Sequence, residues 1–232
     1  GVAPVETTGQ VRWFKRPTPG HTYMVSLDPS MGTGGDFSAI QVFELPTFEQ
    51  IGEWQHNMTP MNQQVRILQG INKHIHDSIV EKDASATPQI FYSMENNTIG
   101  EAALMRVMDI GEENIMGMFL SEPIRKGHRR KFRRGFNTTA KFKIDACTKF
   151  KELVESGKMK INSQLLISEL KDFVATGLSF KAKPGQHDDL VSACLLMTRM
   201  MKVLADFDPK IFERWTDRSS EMTTPMPIFG NF

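Results

Sequence analysis

The sequence lacks most of what holds a protein together from outside its core. It has two cysteines in 232 residues, Cys147 and Cys194. They cannot form a disulfide framework or a zinc site by themselves. Cys194 sits in an apolar helical pattern and Cys147 in an amphipathic one, as reduced core thiols of a cytoplasmic protein do. No apolar run approaches the roughly 18 residues of a membrane span. The start has no signal-peptide pattern, and its first residue is Gly rather than Met, which suggests an excised domain. Charge of one sign is also missing: 28 Lys and Arg face 27 Asp and Glu, a net +1. Any surface for nucleic acid must therefore be local. There is no P-loop of the form Gly-x-x-x-x-Gly-Lys-Ser/Thr, since Gly157-Lys158 is followed by Met159 and lacks the earlier glycine. No internal repeat is visible.

What remains is chain enough for one large domain with extensions. One stretch organises it: Val25-Ser26-Leu27-Asp28-Pro29-Ser30-Met31-Gly32-Thr33-Gly34-Gly35-Asp36. A short apolar run ends in an acid and is followed by a Gly-rich turn. An acid at the end of a buried strand is costly to desolvate and needs a partner.

Residues 1–20 are rich in Gly, Pro and Thr and read as an irregular linker, with Trp13 and Phe14 as anchors. Strands are expected at 21–27, 37–45 and 48–56, forming an antiparallel meander. In the first, Tyr23, Val25 and Leu27 share one face and Met24, Ser26 and Asp28 the other. Thr59-Pro60 opens a helix, with Met61, Val65, Leu68, Ile71, Ile75 and Ile79 at helical spacing. A strand at 89–94 delivers Glu95. Thr98 and Glu101 form a capping box for the next helix, to about Met108. A fifth strand is expected at 115–120. Asn137-Thr138-Thr139 caps a helix to about Ser156. A short strand at 158–161, a helix at 164–175 and an extended run at 178–183 follow. The last helix runs from about His187 to Leu204, and the tail from Asp206 reads as irregular. The domain proper is thus 21–205, between a linker at 1–20 and a tail at 206–232. The order β-β-β-α-β-α-β-α implies a mixed α/β sheet with helices on both faces, the order of the ribonuclease H fold.

In that fold the first and fourth strands are adjacent and parallel, about 4.8 Å apart. Asp28 and Glu95 then end side by side. Asp189 joins them from the first turn of the last helix, where the helix dipole favours a carboxylate. Three converging carboxylates repel unless divalent cations compensate them. Mg²⁺ suits such an oxygen site, and two ions roughly 3.5–4 Å apart support in-line phosphodiester cleavage without a Ser or Cys nucleophile. Each acid also has a simpler reading. Asp28 suits an Asp-Pro turn, Glu95 a strand-end surface charge, and Asp188 with Asp189 a helix cap. Asp36 either supports the metal site or satisfies the turn, and His187 either orients a phosphate or is structural. Arg125, Lys126, Arg129, Arg130, Lys131, Arg133 and Arg134 form a basic run without an acid, suited to phosphate contact without base reading or to a solvated or docking loop.

Leu27-Asp28-Pro29-Ser30-Met31-Gly32-x-Gly34-x-Asp36, Glu95-Asn96-Asn97-x-x-Gly100 and His187-Asp188-Asp189-Leu190-Val191 resemble the nuclease motifs of large terminase subunits. The likeness is strongest to the C-terminal nuclease of T-even-type tailed bacteriophages and spans roughly 21–204. It implies a ribonuclease H/resolvase-like fold and an endonuclease that cuts concatemeric double-stranded viral DNA during genome packaging, with Mg²⁺ or Mn²⁺. It assigns the catalytic and metal-binding acids to Asp28, Glu95 and Asp189, with Asp188 as an alternate ligand. It further implies an ATPase motor domain, absent here, a portal and a small terminase subunit as partners, and action at the prohead in the host cytoplasm, with no membrane. Two rival readings are a non-catalytic DNA- or portal-binding module and a phosphotransferase of the actin/sugar-kinase type. The second needs a nucleotide-binding lobe for which the chain has little room.

Overall fold

The structure, a computed structural model, describes residues 1–123, 134–176 and 179–207. The run 124–133 and the tail from 208 lie outside the described residues, and with them every basic-run residue except Arg134.

Three antiparallel strands form the centre: β3 (Thr22–Asp28), β4 (Ser38–Leu45) and β5 (Glu49–His56). After helix α1 (Met61–Lys82), β6 (Gln89–Met94) returns parallel to β3. Helix α2 (Thr98–Ile110) leads to a two-residue strand β7 (Met118–Phe119), parallel to β6. The expected strand at 115–120 is therefore mostly loop. Helices α3 (Ala140–Glu155), α4 (Gln164–Asp172) and α5 (Asp189–Phe207) complete the chain, with a small hairpin of β8 (Phe173–Thr176) and β9 (Ser179–Ala182) between the last two. Among the described residues no helix is long and apolar enough to cross a membrane.

The mixed sheet is covered on both faces, and strand alternation decides which side chain goes where. Tyr23, Val25 and Leu27 meet the apolar stripe of α1, from Val65 to Ile79. Met24, Ala39 and Phe43 point the other way, into a core built with α3 and α5. On that second face the Ser26 hydroxyl donates to the Ala193 carbonyl of α5 at 2.7 Å. The same alternation sends Asp28 toward α5, as its spacing predicts.

Several expected boundaries are corrected. Residues 6–8 and 11–13, read as irregular, are strands β1 (Glu6–Thr8) and β2 (Val11–Trp13), which extend the sheet beyond β5 to the order β1-β2-β5-β4-β3-β6-β7. Trp13 faces Gly52 across the β2–β5 pair, and a Cβ on Gly52 would come within 2.9 Å of the indole. His74 of α1 stacks on its ring at 4.5 Å. Thr59 does not cap α1; its hydroxyl bonds to His56. Asn97, not Thr98, caps α2 by accepting from the Gly100 amide at 2.8 Å. The strand expected at 158–161 is a single bridge between Lys160 and Glu49. Asp206 and Phe207 belong to α5 rather than to an irregular tail.

A buried polar cluster fixes α4. Glu53 is fully buried; it accepts a fork from Arg12 at 2.9 and 3.1 Å and a hydrogen bond from the Ser163 hydroxyl at 2.5 Å. A buried carboxylate is tolerated only when its oxygens are paired in this way. Ser163 also caps α4. The start of α4 is thereby tied to β5, which places its next turns beside the start of α5.

Candidate active site

Parallel pairing brings Leu27 level with Met94, and the Glu95 amide donates to the Leu27 carbonyl at 3.2 Å. Asp28 and Glu95 are the next residues on the two strands, and both face α5. Their carboxyls share a hydrogen bond, and burial, helped by the charges of Glu95, Asp189 and Asp188, raises the Asp28 pKa well above its ordinary value. The neighbours that shift Asp28 most are all acids.

The turn after Asp28 is fixed from α1. The fully buried Gln64 amide accepts from the Ser30 amide at 3.3 Å and donates to the carbonyls of Ser30 at 2.9 Å and Thr59 at 2.8 Å. Gly32 has φ +69°, and a Cβ there would lie 2.1 Å from the Thr59 carbonyl oxygen. The Gly32 amide turns to the Ser30 hydroxyl, and the Gly34 amide donates to the Asn57 carbonyl at 2.8 Å. These glycine amides are engaged inside the hairpin and do not form a phosphate cradle.

Glu95 is held on two sides. On one, Phe136 runs alongside: its amide donates to the Met94 carbonyl at 3.2 Å and its carbonyl accepts from Asn96 at 2.7 Å. On the other, α2 starts so close that a Cβ on Gly100 would lie 1.8 Å from the Glu95 carbonyl oxygen.

Asp189 opens α5, with its side chain 14 % exposed. Burial, then Asp188, raise its pKa to about 6, against the opposing effects of His187 and the Phe37 amide; Asp36 adds to the rise. Asp36 therefore acts on Asp189 from the far side of the turn. The exposed His187 puts Nδ1 3.6 Å from Asp189 and meets the Phe37 ring edge-on at 4.9 Å. Asp188 accepts from the Ala182 amide at 3.0 Å, which ties β9 to the start of α5. Arg134 is engaged within the protein, paired with Glu112 and placed over the Phe119 ring at 4.9 Å.

The carboxylates of Asp28, Glu95, Asp188 and Asp189 are hard oxygen donors whose mutual repulsion a divalent cation would offset. That donor set fits Mg²⁺ or Mn²⁺. Among the described residues no three acids, histidines or cysteines are drawn close enough to form a complete metal-binding group. The contact between Asp28 and Glu95 holds two of the acids to each other.

A sequence model described as the terminase RNaseH-like domain matches residues 25–200. The chain belongs to this family. Solved structures agree on the fold. The large terminase nuclease of thermophilic phage G20c with bound magnesium is 18 % identical, with a TM-score of 0.61 over 85 % of this chain and 91 % of that one. The Thermus phage P74-26 large terminase nuclease domain is 17 % identical, with a TM-score of 0.60 over 84 % and 88 %. A human cytomegalovirus terminase nuclease domain, soaked with manganese and inhibitor-bound, is 15 % identical, with a TM-score of 0.50 over 78 % and 82 %.

This terminase domain also uses a residue that sequence reasoning passed over. Glu169 of α4 accepts from the Val191 amide at 3.1 Å and from Gln55 at 3.0 Å. Burial, with the charge of Asp189, raises its pKa to about 7. It caps α5 from outside that helix, so no local capping pattern announces it. Gln64 was equally silent, because a glutamine on the inner face of a helix carries no motif.

Proposed function

We propose that this terminase domain is a divalent-metal-dependent endonuclease that cuts concatemeric double-stranded viral DNA during genome packaging, with little sequence preference. The observation that carries the reading is the buried contact between Asp28 and Glu95, with Asp189 acting on the same group. Asp28, Glu95 and Asp189 would hold Mg²⁺ or Mn²⁺, two ions in this reading, with Asp188 as an auxiliary ligand. Such ions supply positive charge to the scissile phosphate and to the oxygens entering and leaving it. The metal-bound relatives support this choice of cofactor.

The protein's own contribution is placement. Asp28 would be the central ligand, because Glu95 touches it and Asp189 acts on it from another element. A bound cation would favour the ionised form of Asp28, which burial and the neighbouring acids disfavour. His187 stands exposed at the rim of Asp189, where it would meet the incoming phosphate, and Asp36 adds negative charge to that edge for a cation to offset. The basic residues Arg125, Lys126, Arg129, Arg130, Lys131 and Arg133 bind the DNA backbone, with Arg134 anchoring the end of the run. The described flanks support this: the Glu122 amide donates to the Gly135 carbonyl at 3.1 Å, and Phe136 adjoins Glu95. The motor domain, portal and small subunit are the partners in this reading, and the prohead in the host cytoplasm is the place.

Plasmid cleavage tests it. The purified domain should cut with Mg²⁺ or Mn²⁺ and not with EDTA. Charge reversal at Arg129 and Arg130 should weaken DNA binding strongly at low salt and little at high salt. Absence of cleavage under every metal condition would favour the binding-module reading.

A further inference from the structure

Arg199 lies on α5, the helix that begins at Asp189. Its side chain is 11 % exposed and pairs with Glu122. It also donates to the Asn137 carbonyl at 3.1 Å and the Thr138 hydroxyl at 3.3 Å. The rings of Phe136 and Phe142 lie 5.2 and 4.8 Å from the guanidinium carbon. Glu122 in turn accepts from the Asn137 amide at 3.3 Å. All these contacts converge on the piece of chain that flanks Glu95.

A guanidinium is an expensive way to fill this space. Burying an ion costs several kcal/mol before pairing offsets it, and an apolar side chain between two phenylalanines would pack without that cost. A charged side chain does here what an apolar one cannot: it grips Glu122, Asn137 and Thr138 at once from a neighbouring helix. Burial lowers the Arg199 pKa to about 10, against the field of Glu95, so it remains a cation at neutral pH.

We propose that Arg199 is a positioning residue for the metal site: it clamps residues 136–138 against the end of β6, so that Glu95 and Asp189 keep their spacing when a divalent cation binds. The proposal rests on the metal-site reading above. It differs from plain packing, because the clamp joins the two elements that supply two of the acids.

The test compares wild type with Arg199→Met, Arg199→Lys, Glu122→Gln and Leu204→Ala. Mn²⁺ binding is measured by calorimetry and by the thermal shift it causes, and cleavage over a Mn²⁺ series. Arg199→Met should weaken Mn²⁺ binding about tenfold or more, the usual size of a loss of support behind metal ligands. It should lower kcat with KM for DNA unchanged. Arg199→Lys and Glu122→Gln should fall between it and wild type. Leu204→Ala, a cut in the core of the same helix, should lower the melting temperature and leave Mn²⁺ affinity alone. Wild-type Mn²⁺ affinity in Arg199→Met, or in Arg199→Lys if the Met variant does not fold, overturns the proposal. A wild-type domain that neither binds Mn²⁺ nor cuts DNA overturns the metal-site reading, and this proposal with it.

Discussion

Asp28→Asn should reduce metal-dependent cleavage by on the order of a thousandfold or more, and should raise the melting temperature of the metal-free domain. The two effects have one cause. Asp28 touches Glu95, lies in the field of Asp189 and Asp188, and is held well above its ordinary pKa by burial and those acids. Asn keeps the shape, loses the charge that a cation needs, and removes the cost of ionising a buried acid beside other acids as pH rises in the metal-free fold. The sign with pH follows. A carboxyl whose pKa is raised on folding adds stability below its unfolded value, and that contribution is lost as pH rises through the folded value. Asp189, at about 6, and Glu169, at about 7, act in the same direction. Each accounts for on the order of 3 kcal/mol between its two states before solvent screening reduces it. The metal-free wild type should therefore melt lower at pH 8 than at pH 5, by several degrees. Mg²⁺ should restore the loss at pH 8, since a ligand of the folded state raises its melting temperature. Asp28→Asn should flatten the pH dependence and weaken the response to Mg²⁺. A variant that melts below wild type at pH 8 without metal, or that cuts as wild type does, would refute this account of Asp28.

The positions of these acids were legible because they rest on period and order. Alternation along β3 puts Asp28 on the face of Met24 and Ser26, and the crossover through α1 puts β6 beside β3. A strand of three residues has no period to read, so β1 and β2 passed as linker although Trp13 is 1 % exposed. The helix expected over 164–175 stops at Asp172, where the chain turns into β8 and Phe173 stacks on Phe180 at 6.2 Å. That ending is a tertiary choice, and local propensity does not contain it. Asn97 and Thr98 both suit a helix cap by composition. Backbone closeness decides between them, because the helix must begin where Gly100 can lie against Glu95. Glu169, Gln64 and Arg199 act across elements, so each becomes visible only once the elements are assembled. The basic run is a matter of composition, and apart from Arg134 it lies outside the described residues.

Gly100→Ala should cost about 1–3 kcal/mol and lower cleavage roughly a hundredfold, although alanine is the better helix former. Gly100 sits in the first turn of α2. The added methyl would lie 1.8 Å from the Glu95 carbonyl oxygen and 2.8 Å from its carbonyl carbon. Both atoms are backbone, so no side chain can swing aside to make room. Either the start of α2 retreats, straining the hydrogen bond from Gly100 to Asn97, or Glu95 is pushed along the strand away from Asp28. Displacements of about 1 Å at reacting groups are enough for losses of this size. Gly70→Ala is the matched comparison. Gly70 lies inside α1 with nothing within 4 Å of a Cβ, so the same substitution should stabilise the domain by up to about 1 kcal/mol and leave cleavage unchanged. The two variants differ by one methyl in the same residue type, and melting temperature and plasmid cutting should move apart in opposite senses. Wild-type cleavage in Gly100→Ala would mean that Glu95 tolerates a shift of its backbone, and the role given to this close approach would fall.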